Sequence, residues 1–339
     1  MLVLGIESSC DDMAAAVVED GSRVLSSVVS SQDEIHALYG GVVPELASRR
    51  HIESVVPVVE ESLKRAEVDL DAIDGIAVTQ GPGLVGSILV GLSFAKSVSF
   101  AASIPFTGVN HITAHPLAAF LTDADPVGDA PGFPLVALVV SGGHTTLILM
   151  DDYTSFRVMG QTRDDAAGEA FDKVAKLLGL GYPGGAAIDR LAVDGDPASV
   201  AFTRPFIAKG NLDFSFSGIK TAVLHHVRGA GGELAGRVVA DVAASFQEAV
   251  VDVLVRKAEW ALDQASTSTM VLAGGVACNS RLRAKMTDFA SGRGVKLFIP
   301  PPRYCSDNAA MVAALGYHQL REGNVGDLDM NARPTWEGF

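Results

Sequence analysis

The sequence predicts an α/β fold built as two duplicated halves that face a shared cleft. Three observations predict it. Residues 2–30 and 134–160 follow one strand–turn–strand–turn–strand plan, about 130 residues apart. Each opening is followed by helix-period and strand segments, so a meander alone does not account for either half. The chain has 339 residues, 48% hydrophobic and 19% charged, which is too long for one ordinary core and too apolar for disorder.

Taken in order, the first half reads as strands over 2–6, 14–18 and 24–29, joined by polar turns at 7–12 and 19–22. An amphipathic helical period covers 52–66, and a strand covers 75–79. The Asp-, Pro- and Gly-rich segment 122–133 is the expected boundary, giving a first domain over 1–130 and a second over 131–305. The second half repeats the opening with strands over 134–140, 145–150 and 155–159 around the turn Ser141-Gly142-Gly143-His144. A helix over 166–178 is expected, capped by Asp165 and stopped by Gly179, with Glu169 and Asp172 four residues ahead of Lys173 and Lys176 as surface pairs. A strand over 269–273 then leads through Gly274 and Gly275 into a helix over 281–289. The helical pattern over 306–323 is expected to pack back on the first domain. Two hairpin openings facing one another form a phosphate clamp. That plan resembles the actin, Hsp70 and sugar-kinase (ASKHA) group, which implies ribonuclease-H-like domains enclosing a nucleotide cleft; one large doubly wound sheet is the alternative.

A net charge of −14 argues against a surface that attracts nucleic acid everywhere, so RNA binding requires a local basic patch or a basic partner. Arg49-Arg50-His51 and the set Arg281, Arg283, Lys285, Arg293 and Lys296 are the candidates, with solvated helix faces as the other reading. Cys10, Cys278 and Cys305 form an odd count without CxxC spacing, which fits a reducing compartment. No basic stretch followed by a long apolar run opens the chain, and Ser-Gly-Gly-His interrupts the uncharged run 133–150 as a hairpin does. A cytoplasmic protein is expected.

Gly81-Pro82-Gly83-Leu84-Val85-Gly86 matches the dinucleotide-binding spacing, yet no Asp or Glu falls between Asp74 and Asp123 to hold a ribose. What survives is a tight turn at a helix N-terminus, suited to an anion or to close packing. Gly274 and Gly275 lack Cβ atoms, so a purine or ribose can lie against the backbone there, with Asn279 either bonding the nucleoside or capping the next helix. The Ser141-Gly142-Gly143-His144-Thr145 turn offers consecutive amides and hydroxyls for an anion. His111 and His115 stand one helical turn apart, a spacing that suits one metal, although it also arises by chance. The position after His111 is Ile112, so the metalloprotease base is missing. Asp307 is the candidate third ligand, or equally a helix cap.

The motifs Gly5-Ile-Glu-Ser-Ser-Cys-Asp-Asp12, His36-x-x-x-Gly40-Gly-Val-Val-Pro-Glu-Leu-Ala-Ser-Arg49, Gly81-Pro-Gly83, Asn110-His-x-x-x-His115, Ser141-Gly-Gly-His-Thr145, Asp164-Asp-Ala-Ala-Gly-Glu-Ala-Phe-Asp-Lys173, Tyr182-Pro-Gly-Gly185, Phe214-Ser-Phe-Ser-Gly-Ile-Lys-Thr221, Gly274-Gly-Val-Ala-x-Asn279 and Cys305-x-Asp-Asn308 occur in order along the chain. Together they resemble the TsaD family, once labelled O-sialoglycoprotein endopeptidase. The resemblance implies transfer of a threonylcarbamoyl group from threonylcarbamoyl-AMP to the exocyclic amine of the adenosine just 3′ of the anticodon, in tRNAs reading codons that begin with adenine. It implies His111, His115 and Asp307 as ligands of one divalent metal, iron or zinc. It implies Ser141, Gly142, Gly143, His144, Thr145, Asp172, Gly185, Asp189 and Asn279 around the adenylate or ATP, and Asp11 and Asp12 near the transferred group. It also implies a TsaB-like paralogue, a TsaE-like ATPase, a TsaC-type enzyme supplying the adenylate, weak tRNA binding by the chain alone, and compatibility with a homodimer. Thr113 stands where bacterial members commonly carry Glu, so altered surroundings of the metal are expected. A small-molecule kinase on the same fold and a metallopeptidase are the rival readings.

Overall fold

A computed structural model of the chain describes residues 1–123, 129–206, 208, 210–231 and 234–336. Of the segment expected to divide the domains, 124–128 lie outside the described residues.

The first apolar runs form β1 (Leu2–Glu7) and β2 (Met13–Glu19), antiparallel with Gly5 opposite Ala16, and β3 (Arg23–Ser30) adds at the edge. β1 and β2 are buried almost throughout, which is why both read as continuous apolar segments. A short helix α1 (Asp33–Ala37) and the long α2 (Pro44–Ala66) lead to β4 (Gly75–Gly81), then to α3 (Val85–Ala102), β5 (Phe106–Asn110) and the single turn α4 (His111–Ala114). The sheet order is β3-β2-β1-β4-β5, with β4 and β5 parallel to β1. α2 starts eight residues before the expected 52 because Pro44 opens the helix at its first turn. Exposed Glu45, Arg49 and Arg50 mask the period there, and only Ala47 and His51 point inward.

The plan then repeats. β6 (Leu135–Val140), β7 (Thr145–Met150) and β8 (Phe156–Gln161) form the second meander. Helices α5 (Ala167–Leu177), α6 (Gly184–Ala192), α7 (Ser217–Gly229) and α8 (Arg237–Ala265) follow. β9 (Thr269–Ala273), α9 (Ser280–Arg293) and β10 (Lys296–Phe298) complete a sheet of order β10-β9-β6-β7-β8. Strand for strand this is the first sheet again, so a single doubly wound sheet is ruled out.

α5 differs from expectation at its start. Ala166 holds the N-cap position without a side-chain cap, because Asp165 instead takes the ammonium groups of Lys173 and Lys220, each at 2.8 Å. The Glu169–Lys173 pair forms at 2.8 Å, whereas Asp172 turns inward to accept a hydrogen bond from the Gly184 amide at 2.8 Å.

After α10 (Pro302–Cys305), the final helix α11 (Ala309–Arg321) crosses β1, β4 and β2. It begins three residues later than the pattern suggested, since Asn308 accepts from the Met311 amide and caps it. α11 and the 3₁₀ turn His115–Phe120 belong to one core with residues of both sheets, among them Ala14, Ala77, Ala137 and Val271. The two halves therefore share a floor of buried apolar side chains, and the cleft lies above it. α3 is the one described helix long and apolar enough to cross a membrane; Ile88, Leu92 and Ala95 on one face are buried.

Candidate active site

A cavity of about 920 Å³ opens between the sheets. The β1–β2 turn supplies Ser9, Cys10, Asp11 and Asp12, and the β6–β7 turn supplies Ser141, Gly142, Gly143 and His144. The matching ends of the two repeats thus face one another across it.

At its floor are His111, the first residue of α4, and Asp307, from the turn before α11, with His115 buried behind them. The Nε2 atoms of both histidines lie 3.5 Å from Asp307 Oδ1, and one ligand atom from each of the three falls within 4.8 Å of the others. Among the described residues, neither ring nitrogen of His115 has a hydrogen-bond partner. A fully buried imidazole without a hydrogen bond is costly unless something else binds it, and a cation would. Burial and the neighbouring His111 push the His115 imidazole down to about 4, so it is neutral and able to ligate at neutral pH. Burial likewise disfavours a charge on His111, but Glu7 and Asp307 outweigh it and raise its affinity for a proton, and by the same field for a cation. Burial alone would raise Asp307; the His111 charge overrides it and holds that carboxyl well below the usual range. The residues present fit a divalent metal. Asn308, and not Asp307, caps α11, which leaves the Asp307 carboxylate free to face the cleft. Thr113 donates to the Asn110 carbonyl at 3.2 Å and does not touch the cluster.

Asp11 and Asp12 line the opposite wall. Burial pushes the Asp12 carboxyl up to about 7, with the charges of Asp307 and Asp11 adding to the rise, and its Oδ1 has no partner. An acid whose folded value lies above its ordinary 3.8 holds its proton more tightly when folded. Its favourable contribution is complete below about pH 4 and is lost as pH rises to about 7. Asp12→Asn is therefore expected to raise the thermal midpoint more at pH 8 than at pH 5, relative to the wild type. Equal shifts at both values would show a freely ionising carboxyl.

The second wall is built for an anion and a nucleoside. Ser141 closes its turn through its amide to the His144 carbonyl at 2.8 Å, and its hydroxyl accepts from the His144 amide at 3.1 Å. Among the described residues no acceptor takes the Gly142 and Gly143 amides. Burial and His111 hold His144 down at about 4, so it adds no charge of its own. Thr145 is fully buried, and its hydroxyl accepts from the Ala167 amide at 2.9 Å; it supports the turn from beneath rather than lining the cleft. Asp172 and Gly185 line the far end with Asp189, whose carboxylate takes the Ser280 amide and hydroxyl, the latter at 2.8 Å. Gly274 has φ +90, and a Cβ there would meet the Val140 carbonyl oxygen at 2.4 Å, so protein packing demands that glycine. Gly275 is open to the cleft. Asn279 caps α9 by accepting from the Leu282 amide at 2.9 Å, and its own amide donates to Gln247 at 2.7 Å.

The 81–86 turn serves close packing. Its Leu84 amide goes to the Ser9 carbonyl at 2.7 Å and its Gly83 amide to the Pro334 carbonyl at 3.1 Å, so neither remains for an anion. Most of the candidate basic groups are also committed. Arg49 and Arg50 pair with Glu45 and Glu53, Arg281 and Lys285 with Glu248, and Arg293 with Glu259 and Asp263. Arg283 donates to the Ala277 carbonyl.

Glu7 stands inside the Gly5–Asp12 motif, where the resemblance gives it no role. It lies fully buried against His111. A lone charge closing an apolar strand was the available signal, since such a charge is buried only when paired.

Comparison with known proteins finds relatives along almost the whole chain. The family described as "TsaD: tRNA N6-adenosine threonylcarbamoyltransferase" matches residues 23–314. A protein of that name from Geobacter sp. (strain M21) is 56% identical over 99% of this chain and 96% of its own length. Another, from Anaeromyxobacter dehalogenans (strain 2CP-1 / ATCC BAA-258), is 55% identical over 98% of each. Among solved structures, full-length HypF superposes with a TM-score of 0.61 at 14% identity, over 96% of this chain and 47% of HypF. Component A of the (R)-2-hydroxyglutaryl-CoA dehydratase of Acidaminococcus fermentans gives 0.54 at 14% identity, over 95% of this chain and 99% of its own. At such identities these two show the shared two-sheet fold.

Proposed function

This chain belongs to the TsaD family of tRNA N6-adenosine threonylcarbamoyltransferases, and from that premise we propose how its cleft divides the work. The enzyme is an acyltransferase of tRNA modification. The donor we propose is threonylcarbamoyl-AMP, and the acceptor is the adenosine just 3′ of the anticodon in tRNAs reading codons that begin with adenine. The observation that carries this assignment is that the His111–His115–Asp307 cluster shares one cavity with the open amides of Gly142 and Gly143 and with Asp11 and Asp12.

His111, His115 and Asp307 would hold one divalent ion, iron or zinc. When bound, the ion supplies Lewis acidity toward an oxygen of the donor. The Gly142 and Gly143 amides receive phosphate charge as it develops on the leaving nucleotide. Asp172, Gly185, Asp189 and Asn279 border the nucleoside end, with Gly275 leaving room for a ring against the backbone; ATP is the alternative occupant. The mixed carbamoyl-phosphate anhydride already carries a good leaving group, so no covalent enzyme intermediate is needed. Asp12, raised to about 7, is suited to accept the proton of the attacking amine near neutral pH, and Asp11 to orient that amine.

The ion pairing of the basic residues supports weak tRNA binding by the chain alone, with a TsaB-like paralogue and a TsaE-like ATPase completing the machinery and a TsaC-type enzyme providing the adenylate. Three free thiols suit the cytoplasm.

The test follows label from threonine into unmodified tRNA with the adenylate-forming enzyme and partners present. Asp11→Ala should lower turnover on the order of 10²-fold or more, while nucleotide affinity by calorimetry stays within about threefold. Retained turnover removes Asp11 from the reaction. No transfer by the wild type, under conditions where a relative works, brings the kinase reading forward.

A further inference from the structure

Glu7 is the most enclosed charge near the cleft, fully buried where β1 ends. Three donors converge on it. The Ser9 amide donates to Oε1 at 2.5 Å, the Thr79 hydroxyl to Oε2 at 2.6 Å, and His111 Nδ1 lies 2.9 Å from Oε2. Enclosed by these donors, the group is held as a carboxylate. An ionised carboxylate offers acceptors only, and the pocket offers it donors only. A glutamine of the same shape would bring an amide N–H against one of those donors.

The consequence reaches His111. A neutral imidazole carries one proton, and an acceptor at Nδ1 keeps it there. Nε2 is then left with its lone pair, on the side facing Asp307 Oδ1. His115 has no such support, since among the described residues neither of its nitrogens has a hydrogen-bond partner. We propose that Glu7 is a positioning residue for the cation site: its carboxylate locks His111 in the tautomer and orientation that present Nε2 beside Asp307 and His115. This rests on the reading of His111, His115 and Asp307 as that site. Outer carboxylates of this kind orient a ligating ring and raise its basicity.

The test titrates Zn²⁺ into metal-stripped full-length protein against a chelating dye, with no substrate present. Glu7→Gln should bind zinc about 10–100-fold more weakly than the wild type. Glu7→Asp, which keeps the acceptor-only charge, should recover part of that loss. Thr79→Val leaves the carboxylate and its bond to His111 and should stay within about threefold of wild type. The absorption bands of the Co²⁺-loaded protein report the ligand geometry, and they should shift in Glu7→Gln and not in Thr79→Val. Wild-type zinc affinity and an unchanged cobalt spectrum in Glu7→Gln, with only a lower thermal midpoint in chelator, would overturn the proposal and leave Glu7 a structural charge. If Glu7→Gln does not fold, the decision falls to Glu7→Asp, which withdraws the carboxylate from His111 Nδ1 by one methylene: wild-type affinity and spectrum there would show that this contact does not position the ring and would overturn the proposal equally. Failure of the wild type itself to bind zinc or cobalt would instead remove the cation site, and the positioning role with it.

Discussion

His111→Ala leaves the enzyme without bound divalent metal and lowers threonylcarbamoyl transfer by about 10²–10³-fold, the equivalent of roughly 3–4 kcal/mol of transition-state stabilisation. The expectation follows from the geometry of three donors. Both imidazole Nε2 atoms are 3.5 Å from one Asp307 oxygen, so removal of His111 leaves one ring and one carboxylate around a site that otherwise has three. It also leaves Glu7 ionised and buried with only Ser9 and Thr79 as donors, which adds a fold penalty. Metal content of the purified protein and transfer of labelled threonine measure the two losses separately. Metal retained at the wild-type level, with transfer lost, would place the ion elsewhere. Transfer retained without metal would end the Lewis-acid assignment.

Gly5→Val is expected to destabilise the protein by about 3 kcal/mol or more and to weaken metal binding, although Gly5 touches no ligand. A Cβ at this position would stand 2.1 Å from the Ala309 carbonyl oxygen and 2.9 Å from Ala313 Cβ. The first obstacle is backbone, so relief requires α11 to lift from β1 rather than a side chain to turn. Asp307 lies two residues before Ala309, and a displaced helix start carries it away from His111 and His115. Thermal midpoint and zinc affinity should fall together. A lowered midpoint with unchanged affinity would show that the 305–308 turn holds Asp307 independently of the helix.

Local physics made the repeated openings legible. Alternation of apolar runs with polar turns marks β1, β2, β6 and β7 within a residue or two, because strands buried on both faces have no polar positions to confuse the reading. The start of α2 was not legible, since a helix whose first turns are solvated shows no stripe there. The expected cap at Asp165 and the surface pairing of Asp172 fail for a related reason. Spacing along one helix proposes partners, but Lys220 and the Gly184 amide come from other elements and are closer. The Gly81–Gly86 spacing is locally indistinguishable from a phosphate loop; the Ser9 and Pro334 carbonyls that consume its amides lie far away in the chain. Most candidate site residues line one cavity because their motifs sit on turns that face one another. Thr145 lies beneath the cleft instead, on the face of β7 that carries Leu147 and Leu149 into the second half's core.

β1 is covered by a helix that the ribosome makes about 300 residues later, roughly 15–60 s afterwards at ordinary elongation rates. Until α11 has emerged, the glycine-and-alanine face of the first sheet is exposed to whatever else is in the cell, and it invites chaperone capture or self-association. The same stretch of messenger encodes Asp307 just ahead of that helix. A transcript cut short before it would yield a product that lacks both the cover and the third ligand, so quality control and loss of chemistry would coincide in every truncated copy.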